Sequence, residues 1–350
     1  MSDVHSANKA LIAPLRAAMH DFDDVRVQAA LNGALASDAT IHMPHPFGDL
    51  SGPQELYQTC YAPLLKAMPD LERRDWIVVG GRTEHGDDWI GCAGHYYGTL
   101  VAPWLDIPPT GHLTHMRFHE FYRIIDGLVV EVQVLWDIPE VMRQAKAWPM
   151  APSLGLEFCV PGPATQDGLV PGPWDEARSK VSCDHVLEML AYLTKHPSQG
   201  GPGVMEMQRF WHPRMNWYGP AGIGTGRGIA GFRNWHQIPF LNGMPDRGKR
   251  AGEITHHFFG DADYAAVTGW PNMIQTVTHD GWMGIAPSDK RISLRSLDFW
   301  RLENGLIREN WVLVDLLDAY RQLGVDVFAR LREFNKARVP GEIPFPVGEI

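Results

Sequence analysis

Apolar residues in the first part of the chain recur every three or four positions, a spacing that predicts helices. Two helices are expected within residues 7–36, then a strand at Ala39–Met43, a loop at 45–53 and a third helix at Glu55–Met68. From Trp76 onward the patterning changes to that of strands, with Asp126-Gly127 favouring a hairpin between the last two. The predicted strands are Trp76–Val79, Trp89–Leu100, Leu113–Ile125 and Leu128–Trp136.

The second half of the chain shows the same order of patterns. Helical spacing covers 186–193, 204–211 and Ile229–Leu241, with a strand at Met215–Tyr218 and a last helix at Val325–Asn335. Further strands are predicted at 252–259, 264–278, 291–302 and 306–314. Each half is therefore predicted to be α+β, with helices packed on a curved antiparallel sheet.

One stretch of the chain occurs twice. Residues 104–144 align with residues 282–322 at a displacement of 178 positions without a gap. The positions that agree include Arg117 with Arg295 and Asp137 with Asp315. A repeat of this length predicts a tandem of one module, whose copies pack against each other as an intramolecular pseudo-dimer.

The repeat divides the chain into four predicted parts. These are a first module at 1–146, a Pro- and Gly-rich linker at 147–176, a second module at 177–336 and a C-terminal tail at 337–350. The tail is expected to be loosely held from residue 339 onward. The linker is expected to lie along the first module, because Leu154, Leu156 and Phe158 are too apolar for a free tether.

Composition narrows the choice of partners. The 350 residues are 45% hydrophobic and 21% charged, as in a globular protein of two domains. A net charge of −10 argues against nucleic acid and anionic membranes as partners, since both require basic surfaces. The chain has no apolar run long enough to cross a membrane, its N-terminus does not resemble a signal peptide, and its four cysteines are scattered. We therefore expect a cytoplasmic protein with reduced cysteines.

Two motifs carry a resemblance to a known family. They are IPPTGHLTHMRFHEFYRIIDGLVVEVQVLWDIPEVMRQ, from residue 107, and DFWRLENGLIRENWVLVDLLDAYRQLGV, from residue 298. The chain resembles the SnoaL-like polyketide cyclases, or predicted ester cyclases, which adopt the cone-shaped α+β fold of nuclear transport factor 2. The copies differ, because Gln133 stands where the second has Trp311, and PPTGH at 108–112 becomes APSDK at 286–290. If each module contains a site, the two sites need not have the same function.

The resemblance implies a cofactor-independent enzyme that acts on a small carbonyl-containing or polyketide-like substrate. The aspartate of the family's W-x-x-x-D motif is implied as the acid/base residue, which corresponds here to Asp137 and Asp315. Strand alternation puts Asp137 on one face with Glu131, Gln133 and Leu135, and we expect this face to line the cone. Burial there would raise the pKa of each aspartate. The alternative is that both aspartates are N-caps of the helices that follow.

Other polar and aromatic residues are predicted to complete the site. His45 is predicted as a further acid/base group, since the charge of histidine changes near neutral pH. Arg117 and Arg295 are predicted to bind a substrate carboxylate, with ion pairs to Glu131 and Glu309 as the alternative. The remaining predicted substrate-binding residues are His42, His115, Gln133, Trp217, Tyr218, His236 and Trp311.

Two further features of the sequence could indicate a metal site or a phosphate site, but each has a simpler interpretation. His42, His45 and Asp137 could supply three metal ligands, but the chain lacks a recognised metal motif, so no metal is predicted. The glycine-rich loop 222–228 is predicted to be a tight turn over the mouth of the cone.

Three functions remain open at this level. The first is proton abstraction next to a carbonyl, leading to cyclisation, isomerisation or elimination. The second is hydrolysis or dehydration by a water that the aspartate positions. The third is a small-molecule-binding or adaptor protein with no chemistry. Further homodimerisation is possible on the sequence alone.

Overall fold

The computed structural model describes residues 3–196 and 199–336. The predicted tail at 337–350 lies outside the described residues. Within them, the chain forms two successive α+β modules, as predicted. No helix in the described ranges is long and apolar enough to cross a membrane.

The first module begins with helices. Asp23, in the acidic break at 21–24, accepts a hydrogen bond from the backbone N–H of Arg26 at 2.8 Å and so caps the second helix. The helices are α1 (Val4–His20), α2 (Asp24–Ala34), α3 (Gly52–Leu56), α4 (Ala62–Ala67) and α5 (Ile138–Gln144), with a π turn at Tyr57–Tyr61 between α3 and α4. The strands are β1 (Leu35–His42), β2 (Asp49–Ser51), β3 (Glu72–Arg82), β4 (Asp88–Thr99), β5 (Leu113–Ile125) and β6 (Leu128–Trp136).

The second module repeats this order. Its helices are α6 (Glu176–Leu193), α7 (Met207–Phe210), α8 (Gly228–Phe232), α9 (Ile238–Gly243), α10 (Leu316–Gln322) and α11 (Val327–Asn335), with a π turn at Arg233–Gln237 between α8 and α9. Its strands are β7 (Trp211–Tyr218), β8 (Thr225–Arg227), β9 (His257–Asp261), β10 (Tyr264–Thr268), β11 (Met273–Val277), β12 (Lys290–Leu294), β13 (Ser296–Glu303) and β14 (Leu306–Val314). Short 3₁₀ turns cover Pro202–Met205 and Ala251–Glu253.

The two large sheets share one strand order, β2-β1-β6-β5-β4-β3 and β8-β7-β14-β13-β10-β9. The sheets are mixed rather than wholly antiparallel, because β1 runs parallel to β6 and β7 runs parallel to β14. Sequence periodicity could not show this, since a parallel and an antiparallel neighbour leave the same alternation in a strand. The curved six-stranded sheet with helices on one face is otherwise as expected.

Two strands predicted to be continuous are interrupted in the second module. The predicted strand 264–278 divides into β10 and β11, because Pro271 has no N–H to donate to the ladder. The predicted strand 291–302 divides into β12 and β13 opposite this break. There the side chain of Asn272 takes the place of a ladder partner, accepting from Ser296 N at 3.0 Å and donating to Ser296 O at 2.6 Å. The predicted strand at 252–259 begins only at His257, after a 3₁₀ turn.

The two sheets pack against each other through the faces that point away from their helices. Phe121 of β5 stacks on Phe299 of β13 with ring centroids 5.0 Å apart. Gly91 allows this close approach, because a Cβ there would lie 2.8 Å from the Phe299 ring. Each sheet therefore has two buried faces, one covered by its own helices and one covered by the other module.

The segment between α5 and α6 runs along both modules. Leu169 forms a β-bridge with Val78 of the first sheet, and Leu156 forms one with Thr225 of the second. We call residues 147–175 the strap. The prediction that this segment lies along the first module is therefore correct for only part of the strap.

Candidate functional site

The strand face that Asp137 shares with Glu131, Gln133 and Leu135 does not line the cone. Gln133 of this face accepts a hydrogen bond from Thr268 Oγ1 in the opposite module, and Leu135 packs in the apolar cluster between the sheets. The residues inside the cone are instead Val132, Val134 and Trp136, which pack with the helices. The expectation that Asp137 and Asp315 face the cone was wrong, because both faces of these strands are buried and alternation cannot tell which one meets the helices.

Asp137 is 4% exposed and joins the two modules. Its carboxylate accepts hydrogen bonds from Glu140 N at 3.3 Å, which caps α5, and from Ala221 N of the second module at 2.9 Å. Arg117 lies 3.4 Å away as its ion-pair partner. Burial, together with repulsion from the Glu140 carboxylate, raises the pKa of Asp137 to about 7 against the opposing effect of Arg117.

Asp315 occupies the equivalent position in the second module. It accepts from Asp318 N at 3.1 Å, which caps α10, and from His45 N of the first module at 3.0 Å, with Arg295 at 3.1 Å. Burial raises the pKa of Asp315 to about 6 although Arg295 lowers it. Both aspartates are thus helix caps that also bind a backbone N–H of the other module. Their catalytic role stays a prediction.

The predicted carboxylate-binding arginines have other partners. Arg117 donates to the carbonyl oxygens of Tyr218 at 3.1 Å and Gly219 at 2.7 Å. The alternative pairing of Arg117 with Glu131 and of Arg295 with Glu309 was wrong, whereas binding of a substrate carboxylate by these arginines stays a prediction. The glutamates pair instead with arginines three residues before the first residue of each hairpin turn, Arg123 with Glu131 at 2.8 Å and Arg301 with Glu309 at 2.6 Å.

Several other predicted residues lie between the modules or at the surface, away from the cones. Trp311 Nε1 donates to Pro161 O of the strap at 2.9 Å, and Tyr218 Oη donates to Glu309 at 3.3 Å. His42 pairs with Asp49 at 2.7 Å and stacks on Trp270. The ring of His45 lies near Phe328, and burial lowers its pKa. His42, His45 and Asp137, which could have supplied three metal ligands, therefore each contact different partners.

Trp217 and His236 do lie inside the second cone. Their rings stack with centroids 4.0 Å apart and planes 13° apart. A mouth cavity of about 870 Å³ and an inner cavity of about 60 Å³ lie beside them. The two cavities share Ile223, His236 and Trp282 as lining residues, so they are adjacent. The surroundings are mainly apolar and aromatic, as in binding sites for small organic molecules.

Four polar residues that were not predicted from the sequence line the inner cavity: Asp298, Arg247, Asn310 and Ser296. Asp298 accepts a hydrogen bond from Ser296 Oγ at 2.6 Å. Burial raises the pKa of Asp298 to about 7, against lowering by that hydrogen bond and by Arg247. Burial and the charge of Arg247 lower the pKa of His236 to about 3, so its ring is neutral at pH 7.

The signal for these residues was present in the strand pattern. Along β13, Ser296, Asp298 and Trp300 lie on one face of the strand, and Leu297 and Phe299 lie on the other. Asp298 therefore places a carboxylate in the middle of a strand, on the face opposite Leu297 and Phe299. A charged residue in the centre of a buried strand is rare unless paired. The pattern along β13 therefore identifies Asp298 as a candidate site residue.

The first cone is filled at the positions that are open in the second. Phe118 stands where the second module has Ser296, and Trp136 stands where it has Val314. Tyr96 packs against both rings, with centroids 4.9 Å from Phe118 and 5.8 Å from Trp136. At these positions the second cone is lined by small side chains and contains a cavity, whereas the matching interior of the first carries large aromatic side chains.

A second concave site lies at the boundary of the modules. His115, Arg117 and Asp137, three of the predicted residues, line a cleft of about 200 Å³ together with Glu140 and Cys159. The strap and the loop after β7 close its other side. The glycine-rich segment 222–228 was predicted to be a tight turn over the mouth of the cone, but only its start lies in a turn, since Thr225–Arg227 form β8 and Gly228 begins α8. Its glycines Gly222, Gly224 and Gly228 have positive φ.

Comparisons with known proteins agree with the fold. The family described as SnoaL-like polyketide cyclase matches residues 14–145 and 204–323. No curated protein matches the chain significantly.

Similar solved structures each align with part of the chain. IdmH, a polyketide cyclase candidate from Streptomyces antibioticus, is 21% identical over 40% of this chain and 98% of its own, with a TM-score of 0.34. A SnoaL-like polyketide cyclase candidate from Jannaschia sp. CCS1 is 20% identical over 42% of this chain and 96% of its own, with a TM-score of 0.36. AclR, a hydroxylase candidate from Streptomyces galilaeus, is 18% identical over 42% and 90%, with a TM-score of 0.35. Because the family match covers both modules and most of the chain, this protein belongs to the SnoaL-like polyketide cyclase family.

Proposed function

We propose that the protein is a cofactor-independent enzyme that performs acid–base chemistry in the cavity of its second module. Its substrate would be a small carbonyl-containing or polyketide-like molecule. The main support is Asp298, a carboxyl group with a pKa near 7 at the inner end of an apolar cavity. A general base works best when its pKa lies near the working pH.

The proposed step is removal of a proton from carbon next to a carbonyl group. The ionised Asp298 takes the proton, and the electron pair of the broken C–H bond moves onto the carbonyl oxygen to form an enolate. Arg247 and the neutral ring of His236 line the same cavity and can donate hydrogen bonds to that oxygen. Such donors act more strongly in a water-poor site than in bulk water. In isomerisation the protonated Asp298 returns the proton to another carbon of the enolate. In cyclisation the enolate carbon adds to a second carbonyl and the resulting alkoxide takes the proton, and in elimination the departing oxygen takes it.

The shape of the cavity supports an aromatic or polycyclic substrate. Stacked Trp217 and His236 form one wall, and Trp282 lies where the mouth meets the inner cavity. Flat aromatic walls favour flat apolar ligands. Asp137 and Asp315, the aspartates predicted from the motif, remain the competing candidates for the acid/base residue.

Deuterium exchange distinguishes these aspartates. Incorporation of deuterium into the methyl group of acetophenone in D₂O, followed by NMR, reports proton abstraction without knowledge of the natural substrate. We expect Asp298→Asn to lower the exchange rate by about 100-fold or more. We expect Asp315→Asn to retain exchange as long as it stays folded by circular dichroism.

Filling the cavity provides an independent test. Val314→Trp introduces the side chain that Trp136 provides in the first module and should abolish exchange, whereas Leu187→Trp on the exposed face of α6 should not. Loss of exchange in Asp315→Asn but not in Asp298→Asn would show that the proposal is wrong. A wild-type protein that is stabilised by the ketone but catalyses no exchange would support the non-catalytic binding function instead.

A further inference from the structure

Three potential metal ligands meet beside the cleft between the modules. His95 on β4 and His115 on β5 are diagonal neighbours, because His95 pairs with Arg117 and His115 pairs with Tyr97. Cys159 reaches them from the strap. One potential ligand atom from each of the three residues lies within 4.8 Å of the other two. The sheet thus provides two imidazoles and the strap provides a thiol.

His95 has a buried ring nitrogen without a partner. The residue is 1% exposed, and its Nε2 atom makes no hydrogen bond. The other ring nitrogen, Nδ1, accepts from Trp76 Nε1 at 3.3 Å. A buried polar atom without a partner is costly, and a bound ligand is one explanation for its persistence.

His115 lies beside a carboxylate but makes no hydrogen bond through Nδ1. Its Nδ1 lies 3.2 Å from Glu140 Oε1, and Glu140 is itself fixed because its other oxygen accepts from Arg117 N at 2.7 Å. Histidines that bind metals usually donate their second ring nitrogen to a carboxylate or carbonyl. A hydrogen bond from Nδ1 to Glu140 in the metal-bound protein would leave Nε2 of His115 as the ligand atom.

We propose that His95, His115 and Cys159 bind a divalent transition-metal ion of the zinc type. Two imidazole nitrogens and one thiolate form a donor set that zinc favours, whereas calcium and magnesium require oxygen ligands. A fourth, open position would face the cleft, where water or a small ligand could bind. This site is separate from the cavity of the second module and does not depend on the proposed function.

Binding requires only small changes in the structure. Tetrahedral zinc ligands lie about 3.5 Å apart, so the three atoms must approach by about 1 Å. Cys159 is exposed on the strap, which contains no helix or strand within the described residues, and can supply most of this movement. Coordination through His95 Nε2 requires the ring proton to move to Nδ1. Because Nδ1 can then no longer accept from Trp76 Nε1, the 3.3 Å hydrogen bond is lost and a metal bond is gained.

The ion would fasten the strap to the first sheet. The strap residues next to Cys159 also contact the second module, since Leu156 bridges Thr225 and Glu157 accepts from Gly222 N at 3.0 Å. A metal bond at Cys159 would therefore hold the cleft closed on one side and restrict the loop after β7. Metal binding to the folded protein stabilises it by mass action.

Cobalt substitution tests the site directly on the full-length protein. After treatment with a chelator, titration with Co²⁺ should produce one equivalent of binding and a thiolate-to-cobalt absorption band in the near ultraviolet. Cys159→Ser should lose the band and at least 10-fold in affinity, and His115→Ala should lose a similar factor. Cys183→Ser and His112→Ala, which alter residues outside the cluster, should keep both.

The melting temperature distinguishes loss of the metal site from misfolding of a variant. Zn²⁺ should raise the melting temperature of wild-type protein and of Cys183→Ser, but not that of Cys159→Ser, whose exposed position should leave folding intact. A charge-transfer band that persists in Cys159→Ser, or binding only at millimolar Co²⁺ in wild-type protein, would overturn the proposal. Neither readout depends on catalytic activity.

Discussion

Two carboxylates hold equivalent positions inside the two cones and have different surroundings. Glu120 forms an ion pair with Arg73 at 2.5 Å and accepts hydrogen bonds from Tyr96 at 3.0 Å and Tyr122 at 2.5 Å. Asp298 has one hydrogen bond, from Ser296, and faces a cavity. A carboxylate that is fully paired in a filled interior has a structural role, whereas one that is buried with few partners has a raised pKa and free lone pairs.

The charge of the half-buried Asp298 is expected to weaken the fold at high pH. Its pKa in the folded protein is about 7, above its usual value of 3.8, so folding favours the protonated form. Between these two values the unfolded chain releases the proton first, and stability therefore falls as pH rises toward 7. We expect Asp298→Asn to be more stable than wild-type protein by about 1 kcal/mol at pH 8, allowing for solvent in the cavity.

Urea unfolding at several pH values measures this difference. The advantage of Asp298→Asn should be small at pH 4, increase up to pH 7 and stay level above it. A difference that does not change with pH would mean that Asp298 titrates normally and is not the poised base of the proposed function.

At the scale of single elements, β4 shows how the sheet acquires its bend. Gly94 lies opposite the register shift between Asp75 and Ile77 of β3. A Cβ at Gly94 would lie 2.1 Å from the carbonyl oxygen of Arg74, so the two backbones approach too closely for any side chain. Glycine within a strand commonly marks such a bend, as the sequence suggested.

Replacement of Gly94 is expected to be costly. Gly94→Ala must displace the backbone of β3, and we expect it to lower the free energy of unfolding by about 2 kcal/mol or more. Gly33→Ala is the matched control, because Gly33 lies in α2 with nothing within 4 Å of its added Cβ. That change should stabilise the protein by about 0.5 to 1 kcal/mol. Equal effects in chemical denaturation would contradict the packing assigned to β4.

Elements were predictable where their patterns were local. The tandem repeat, the helices and the long strands of the first module follow from apolar spacing and turn residues. The interruptions at Pro271 and Arg295 were missed because the alternating pattern continues across them, and only the pairing with Asn272 shows where each ladder ends. The parallel pairing of β1 with β6 joins segments far apart in the chain and leaves no local signature.

At the scale of the whole molecule, the modules depend on each other for burial. The outer face of each sheet carries large apolar residues that would be exposed in a separate module. Reciprocal hydrogen bonds, Ala221 N to Asp137 and His45 N to Asp315, fasten the two ends of this interface. We therefore expect the protein to unfold as one cooperative unit.

The phenylalanine pair at the centre of the interface tests this dependence. Phe121→Ala and Phe299→Ala should each lower the free energy of unfolding by about 3 kcal/mol, with the double variant less destabilised than the sum by about 1 kcal/mol because the rings stack. Phe334→Ala, at a ring that is 47% exposed, should change it by less than about 0.5 kcal/mol. Two separate unfolding transitions in wild-type protein would show that the interface contributes little.

The duplication of one module, the α+β class of each copy and the family of the chain could all be read from the amino-acid sequence, because they follow from repeated and local patterns. Which face of each strand meets the helices and which meets the other module depends on the packing of the folded chain. Both faces are apolar enough to be buried, so alternation assigns residues to the same face without saying what covers it. For that reason the motif aspartates Asp137 and Asp315 lie between the modules, while Asp298 lies in the one cone whose interior is left open by Ser296 and Val314.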